Sequence, residues 1–382
     1  PRSPQPFLIH LKTKWVNQVK LRTCIGAKTY NIACIGRNFR LIENYIHKHS
    51  IYFRDRKIMQ KPSLAVDFCG IEMQTPIVLL SGCVGFGEEY TRVSGYSNSD
   101  IGGVCLKGTT LEPRLGNTPH RVIETPGGMI NSIGLQNPGA RHVIDTILPE
   151  LDFSETRYIA NISGSSVEEY GEIAALFDDS PVDAIEINIS CPNVKEGGAV
   201  FGNDPEVSAR VVEACRKVTK KPLITKLSPN QTDIAHNAQR CIDAGSDAFA
   251  VINTLMGMSI DIHKRRPVIG NNMGGLSGPA IKPVALLKVH QVYQVCKAHN
   301  IPIIGQGGIN SAEDAIEFII AGATTVGVGT ALFNDPLICS SINTGLQEYM
   351  AQYKIGSIRD LIGTLEVNKP APATPPCDCP TE

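Results

Sequence analysis

The sequence of 382 residues contains no run of about 18 apolar residues, and its most hydrophobic stretches, 77–80 and 301–305, are strand-sized. A membrane-spanning helix is thereby excluded from the reading. Large-scale disorder is excluded as well, because 42% of the residues are hydrophobic and only 19% charged. There is no disulfide framework either: most of the twelve cysteines stand singly in apolar or helical runs, as Cys105, Cys215, Cys241 and Cys296 do. A free cysteine in such a run behaves as a small buried hydrophobe. With no signal-peptide pattern, the expected setting is a reducing cytoplasm.

Metal and triad chemistry lack their residues. His236 and His290 fall in helical segments and His299 at a helix end, while His120, His142 and His263 are scattered, so neither a metal site nor a Ser-His-Asp triad is expected. Cys377 and Cys379 form a close pair in a Pro-rich tail but have no second pair to complete four ligands. The nucleotide fingerprints G-x-G-x-x-G, between a first strand and helix, and G-x-x-x-x-G-K-[ST] are also missing.

Acidic residues are scarce at one end only. Residues 1–58 carry twelve Lys and Arg against Glu43 and Asp55, a net of +10 that leaves about −11 on the rest of a chain whose total is −1. Two readings stay open for this basic N-terminal extension: sequence upstream of a natural start at Met59, or an arm for an anionic partner. The low serine content, with only Ser3 and Ser50, argues against a transit segment. Residues 369–382 are expected to be a Pro-rich disordered tail, which leaves 59–368 as the folded domain.

In that domain short β-branched runs alternate with helix-sized segments. Strands are expected at 77–81, 103–107, 158–163, 184–190, 223–228, 248–254, 301–305 and 325–329, and helices at 167–177, 205–218, 233–244, 283–299 and 312–321. Glycines at 245 and 322 supply left-handed termini after two of the helices. Eight strands in this rhythm, without the doubly wound fingerprints, predict an α/β fold, a (β/α)8 TIM barrel with extended loops at its C-terminal face. The long, polar loops are 108–139, 191–204 and 255–278, and the segments 125–139 and 271–280 add amides and glycines with almost no hydrophobic bulk.

The reactive groups of a barrel lie past its strand ends. Lys107 and Lys226 stand there; the bland reading of either is a salt bridge to a buried acid such as Glu186, and together they suggest an anionic ligand. Asn188, Cys191 and Asn193 follow the fourth strand, Asn253 and Thr254 the sixth. Gly307, Gly308, Gly329 and Thr330 close the last two strands, where backbone N–H groups can cradle a phosphate. Asn131, within the loop 125–139, is the leading contact for a planar polar ligand.

The motifs SGCVGFGEEY (81–90), LKGTT (106–110), NSIGLQNPG (131–139), NISCPNVKEGG (188–198), INTLMG (252–257) and GGLSGPAIKP (274–283) occur in that order, and on them the chain resembles the class 1 dihydroorotate dehydrogenases. The resemblance runs from about Leu64 to about Glu366 and is nearer to the type B catalytic subunits. It implies FMN in the barrel mouth and oxidation of (S)-dihydroorotate to orotate in pyrimidine synthesis. Cys191 would be the base and Lys226 the lysine beside the flavin. Lys107, Asn131, Ser132, Ile133, Gly134, Leu135, Asn188, Asn193, Asn253 and Thr254 would meet the substrate. Ser81, Gly82, Lys107, Gly108, Asn161, Asn188, Lys226, Ile252, Gly278, Gly307, Gly308, Gly329 and Thr330 would line the FMN.

No NAD or iron–sulfur motif appears, so FAD and a 2Fe–2S cluster are expected only in a partner subunit, in a heterotetramer built on a homodimer. Neither nucleic acid nor membrane is expected as a partner. The alternatives are a fumarate-reducing type A enzyme, a pyrimidine reductase like dihydropyrimidine dehydrogenase, and a flavin-binding barrel without turnover.

Overall fold

A computed structural model describes residues 61–189 and 202–368. The chain divides into two units, Pro1–Gln60 and Lys61–Glu382. The first unit and the tail from 369 lie outside the described residues, together with the expectations placed on them.

Eight parallel strands close a barrel: β1 (Ile77–Leu79), β2 (Gly103–Cys105), β3 (Arg157–Ile162), β4 (Ala184–Ile187), β5 (Leu223–Leu227), β6 (Ala248–Val251), β7 (Ile303–Gln306) and β8 (Thr325–Val328). Each strand pairs with the next in sequence, and β8 returns to β1 with Val326 opposite Ile77. The expected barrel is therefore the observed fold. The ends differ by up to three residues: β6 stops at Val251, and the Asn253 side chain instead accepts from the Thr254 N–H at 2.8 Å.

Along the strands alternate side chains face the interior and the surrounding helices. Ile185 and Ile187 of β4 are fully buried in the core, and Glu186 between them is fully buried too. Asn161 of β3 stands opposite Glu186 in the register, and Lys226 of β5 opposite Ala250. These three residues give the barrel a polar layer where Val, Ile or Leu would be usual.

The longer helices among the described residues are α1 (Val167–Asp178), α2 (Pro205–Arg216), α3 (Ile234–Asp243), α4 (Lys282–Cys296), α5 (Ala312–Ala321) and α6 (Ile338–Tyr353). Four begin at side-chain caps, Ser166, Asp204, Asp233 and Ser311, each accepting a first-turn N–H. Gly245 and Gly322, at φ +101° and +123°, end α3 and α5 as the sequence predicts. The sequence reading omits α6, whose apolar residues Ile338, Ile342, Leu346 and Met350 recur every four positions among serines and asparagine. No helix among the described residues is long and apolar enough to cross a membrane.

The long loops are more ordered than the sequence suggests. Strands Leu255–Gly257, Gly274–Ser277, Gly128–Asn131 and Val122–Thr125 form, in that order, an antiparallel sheet from the loops after β2 and β6. The expectation of little hydrophobic bulk is corrected here, since Ile130 is buried within this sheet and Gly257 packs beside it. Its hairpin turns at Pro126–Gly127, with Gly127 at φ +77° as a type II turn requires.

Candidate active site

At the carboxyl ends of the strands lies a cavity of about 370 Å³. Ser81 and Gly82 enter its wall after β1, Lys107 and Gly108 after β2, and Asn188 after β4. Lys226 comes from β5, and Ile252, Asn253 and Thr254 follow β6. The loop sheet and its flank supply Asn131, Ile133, Gly134, Leu135 and Gly278, while Gly307, Gly308, Gly329 and Thr330 close the side of β7 and β8.

Two expected residues stand behind the wall. Ser132 is fully buried and its Oγ accepts from Asn117 at 3.0 Å; Asn161 is 1% exposed and donates to Glu186. Cys191 and Asn193 lie outside the described residues. The sequence reading misses Cys83, Val122, Met129, Ser277 and Phe333 as lining residues. For Val122 and Met129 the signal was the Pro-Gly turn between two short alternating runs, which marks a hairpin. Ser277 is held there by its hydroxyl, which pairs with that of Thr330 at 3.0 Å and ties the loop sheet to the end of β8.

A connected polar chain runs from the barrel interior to the mouth. Glu186 Oε1 accepts from both Lys226, with Nζ at 3.2 Å, and Asn161. Asn188 donates to Asn161 Oδ1 at 3.5 Å, and Asn253 donates to Asn188 Oδ1 at 3.3 Å. The bland reading of Lys226 is thus realised as an ion pair, yet the same lysine also faces the cavity. Burial works against its charge, and the Glu186 carboxylate, with smaller contributions from Cys105 and Cys83, more than offsets that cost, so the Lys226 pKa is raised. Both side chains are nearly inaccessible, at 7% and 0% exposure, so their attraction is little screened. Cys83 beside them is a thiol at neutral pH: burial pushes its pKa up to about 11, although Lys226 and Lys107 pull the other way. Among the described residues no cluster of three or more His, Cys, Asp or Glu could hold a metal ion.

The glycine side of the cavity is built for close approach. Gly307 and Gly308 adopt φ +128° and +90°, where L side chains are strained, and a Cβ on Gly308 would come within 2.8 Å of the Gly278 carbonyl. The two helical starts on this side are unlike each other. That of α5 is satisfied by its own residues, since Ser311 caps it and Glu313 and Asp314 occupy its first turn. The helical turn Thr330–Phe333 after β8, by contrast, has no side-chain cap and opens at the cavity through Thr330 and Ala331.

An eightfold barrel with lysines, amides and a glycine cradle converging on one mouth has the form of a barrel enzyme whose site lies at its strand ends. The family model for dihydroorotate dehydrogenase matches residues 63–350, and the chain belongs to that family. It is 50% identical to a protein of Geotalea daltonii over 311 residues, which cover 81% of this chain and all of that one. A protein of Citrifermentans bemidjiense shows the same identity and coverage, and one of Desulforamulus reducens is 50% identical over 79% of this chain and 98% of its own. All three are named dihydroorotate dehydrogenase B (NAD(+)), catalytic subunit. The chain is accordingly an oxidoreductase of class 1, type B.

Proposed function

We propose that this chain oxidises dihydroorotate to orotate in pyrimidine biosynthesis, with FMN held in the barrel mouth, and passes the electrons through a partner subunit to NAD. The observation that carries this reading is the convergence of Lys107, Asn131, Asn188, Lys226 and Asn253 on the same cavity as the glycines that follow β7 and β8.

The residues present fit a flavin nucleotide. Gly307 and Gly308 give it a floor without Cβ atoms, and the buried Gln306 Oε1, which has no hydrogen-bond partner in the structure, borders the same cavity. Gly278, Gly307, Gly308, Gly329 and Thr330 would hold the phosphate end. Ser81, Gly82, Gly108, Ile252 and Lys226 would hold the ring, with Asn161 and Asn188 behind it. When bound, FMN supplies a two-electron acceptor.

The chain's own residues do the rest. Cys191, three positions past Asn188, is the base that takes the proton alpha to the substrate carbonyl. Lys107 offsets the substrate carboxylate, and Asn131, Asn188, Asn193 and Asn253 bond its carboxylate and ring amides. Ser132 to Leu135 and Thr254 shape that side of the mouth. Lys226 places a fixed positive charge where negative charge develops, so little reorganisation is needed.

The relatives' designation as catalytic subunits supports a partner subunit, which in this reading carries FAD and a 2Fe–2S cluster. The assembly is a homodimer of this chain within a heterotetramer, and its place is the cytoplasm. The catalytic unit is the barrel, with residues 1–58 and 369–382 outside it. Anaerobic mixing of the FMN-loaded chain with dihydroorotate tests the half-reaction. Loss of oxidised-flavin absorbance supports it, bound flavin that does not bleach redirects the reading to another pyrimidine, and a chain that takes up no flavin sinks it. Reoxidation by NAD in the presence of the partner, and not by fumarate, separates type B from type A.

A further inference from the structure

Three asparagine amides of the barrel are strung on one polar chain whose two ends are chemically unlike. At the inner end Glu186 is fully buried, and its Oε1 accepts from Lys226 Nζ at 3.2 Å and from the Asn161 amide. At the outer end the Thr254 N–H donates to Asn253 Oδ1 at 2.8 Å. A carboxylate paired with a lysine can only accept, and a backbone N–H can only donate.

Between these ends the side chains run in one direction. Asn161 turns its NH2 to Glu186, with Cys105 Sγ, a weak acceptor, at 4.0 Å, and so presents Oδ1 to the Asn188 NH2 at 3.5 Å. Asn188 in turn presents its Oδ1 to the Asn253 NH2 at 3.3 Å. The backbone holds two of these residues firmly. Asn188 donates its N–H to the Ile162 carbonyl and accepts from Tyr170 Oη, each at 2.9 Å, and the Asn253 N–H donates to the Leu227 carbonyl at 3.0 Å. What stays open to an asparagine so held is which way round its amide lies. Reversing any one of the three would set oxygen against oxygen at its inner link.

Asn188 and Asn253 line the cavity, whereas Asn161 and Glu186 stand behind it. A buried ion pair adds little net stability, so the fold alone gives no reason for a carboxylate at this position. We infer that Glu186 is a positioning residue for the substrate side of the site: as the terminal acceptor it fixes which way round the Asn161, Asn188 and Asn253 amides lie, and so where the mouth offers an N–H and where an oxygen. This rests on the reading above, in which Asn188 and Asn253 meet a ring whose N–H and C=O groups come in a set order. Without an acceptor at position 186 both directions of the chain open, and a reversed amide leaves polar groups of the bound ring unpaired, which weakens binding.

The test titrates orotate into the flavin-loaded parent and into Glu186→Gln, Glu186→Met, Asn161→Ala and the Glu186→Met/Asn161→Ala double variant, reading binding from the perturbation of flavin absorbance. Glutamine keeps an acceptor without the charge, and methionine fills a similar volume with neither. The orotate Kd should stay within about threefold of the parent's in Glu186→Gln and rise about tenfold in Glu186→Met. It should rise no further when Glu186→Met is added to Asn161→Ala, which has already cut the chain.

Equal affinity in the Gln and Met variants would overturn the inference, since the acceptor would then make no difference. So would a Met effect that persists undiminished beside Asn161→Ala, because it would run through Lys226. If Glu186→Met holds no flavin, Asn161→Ala decides, as it leaves the Glu186–Lys226 pair in place: orotate at the parent's affinity overturns the inference, and weaker binding supports it. A parent whose flavin does not respond to orotate fails the functional reading instead.

Discussion

Gly275 lies so close to Thr254 that a Cβ on the glycine would stand 1.9 Å from the threonine Oγ1. Gly275 belongs to the loop sheet and pairs with Asn131, while Thr254 follows β6, so this contact fixes the sheet against the barrel mouth. The position of Asn131 over the cavity depends on it.

Gly275→Ala should therefore push the sheet away from Thr254. Overpacking of this kind costs about 1–3 kcal/mol. The expected outcome is a several-fold rise in KM for dihydroorotate with flavin content kept, read from steady-state kinetics and the flavin-to-protein absorbance ratio. An unchanged KM would show that the sheet does not position the substrate.

Lys226→Ala should destabilise the barrel as well as weaken the site. It leaves the Glu186 carboxylate buried without its cation, and breaking such a pair costs about 3–5 kcal/mol. A denaturant midpoint equal to the parent's would contradict this, and flavin content and reduction rate equal to the parent's would remove the role assigned to Lys226.

Cys191→Ala should retain flavin and lose turnover. Removing a positioned base costs roughly 10²–10⁴-fold in rate. Stopped-flow bleaching by dihydroorotate reads this directly, and a variant that bleaches as fast as the parent would take the proton-removing role from Cys191.

Alkaline pH should destabilise the fold through its buried thiols. Burial pushes Cys215 and Cys296 up to about 12 from an ordinary 9, so above pH 9 the unfolded chain loses protons that the folded one keeps. Stability is then fully present below pH 9 and falls as pH rises toward 12, by up to about 1.4 kcal/mol per pH unit for each thiol. Urea midpoints at pH 8, 9 and 10 measure the slope, and Cys296→Ala should make it shallower.

The barrel was legible because its signal is local and repeated. β-Branched runs of strand length, helices between them and glycine at helix ends are consequences of backbone sterics that each segment carries alone. The helix α5 has the bounds expected from the sequence, Ala312–Ala321, with Gly322 ending it as expected and Ser311 found to cap it. The helix α6 was not, because Ser340, Ser341, Asn343, Thr344 and Gly345 dilute its pattern, and Gly345 is explained only by the neighbouring helix: a Cβ there would stand 2.4 Å from that of Ala312.

For the site, residue types could be assigned to the strand ends from the sequence, because strand order in this fold is chain order. Chain order alone therefore puts Lys107, Asn188, Lys226 and Asn253 at one mouth. Tertiary structure alone decided the rest. Asn161 lies behind the wall with Glu186, Lys226 divides its charge between that carboxylate and the cavity, and two distant loops join into the sheet that carries Asn131. The reason is physical: a hydrogen bond or ion pair across a barrel depends on the register and direction of side chains from strands far apart in sequence, and no local propensity encodes it.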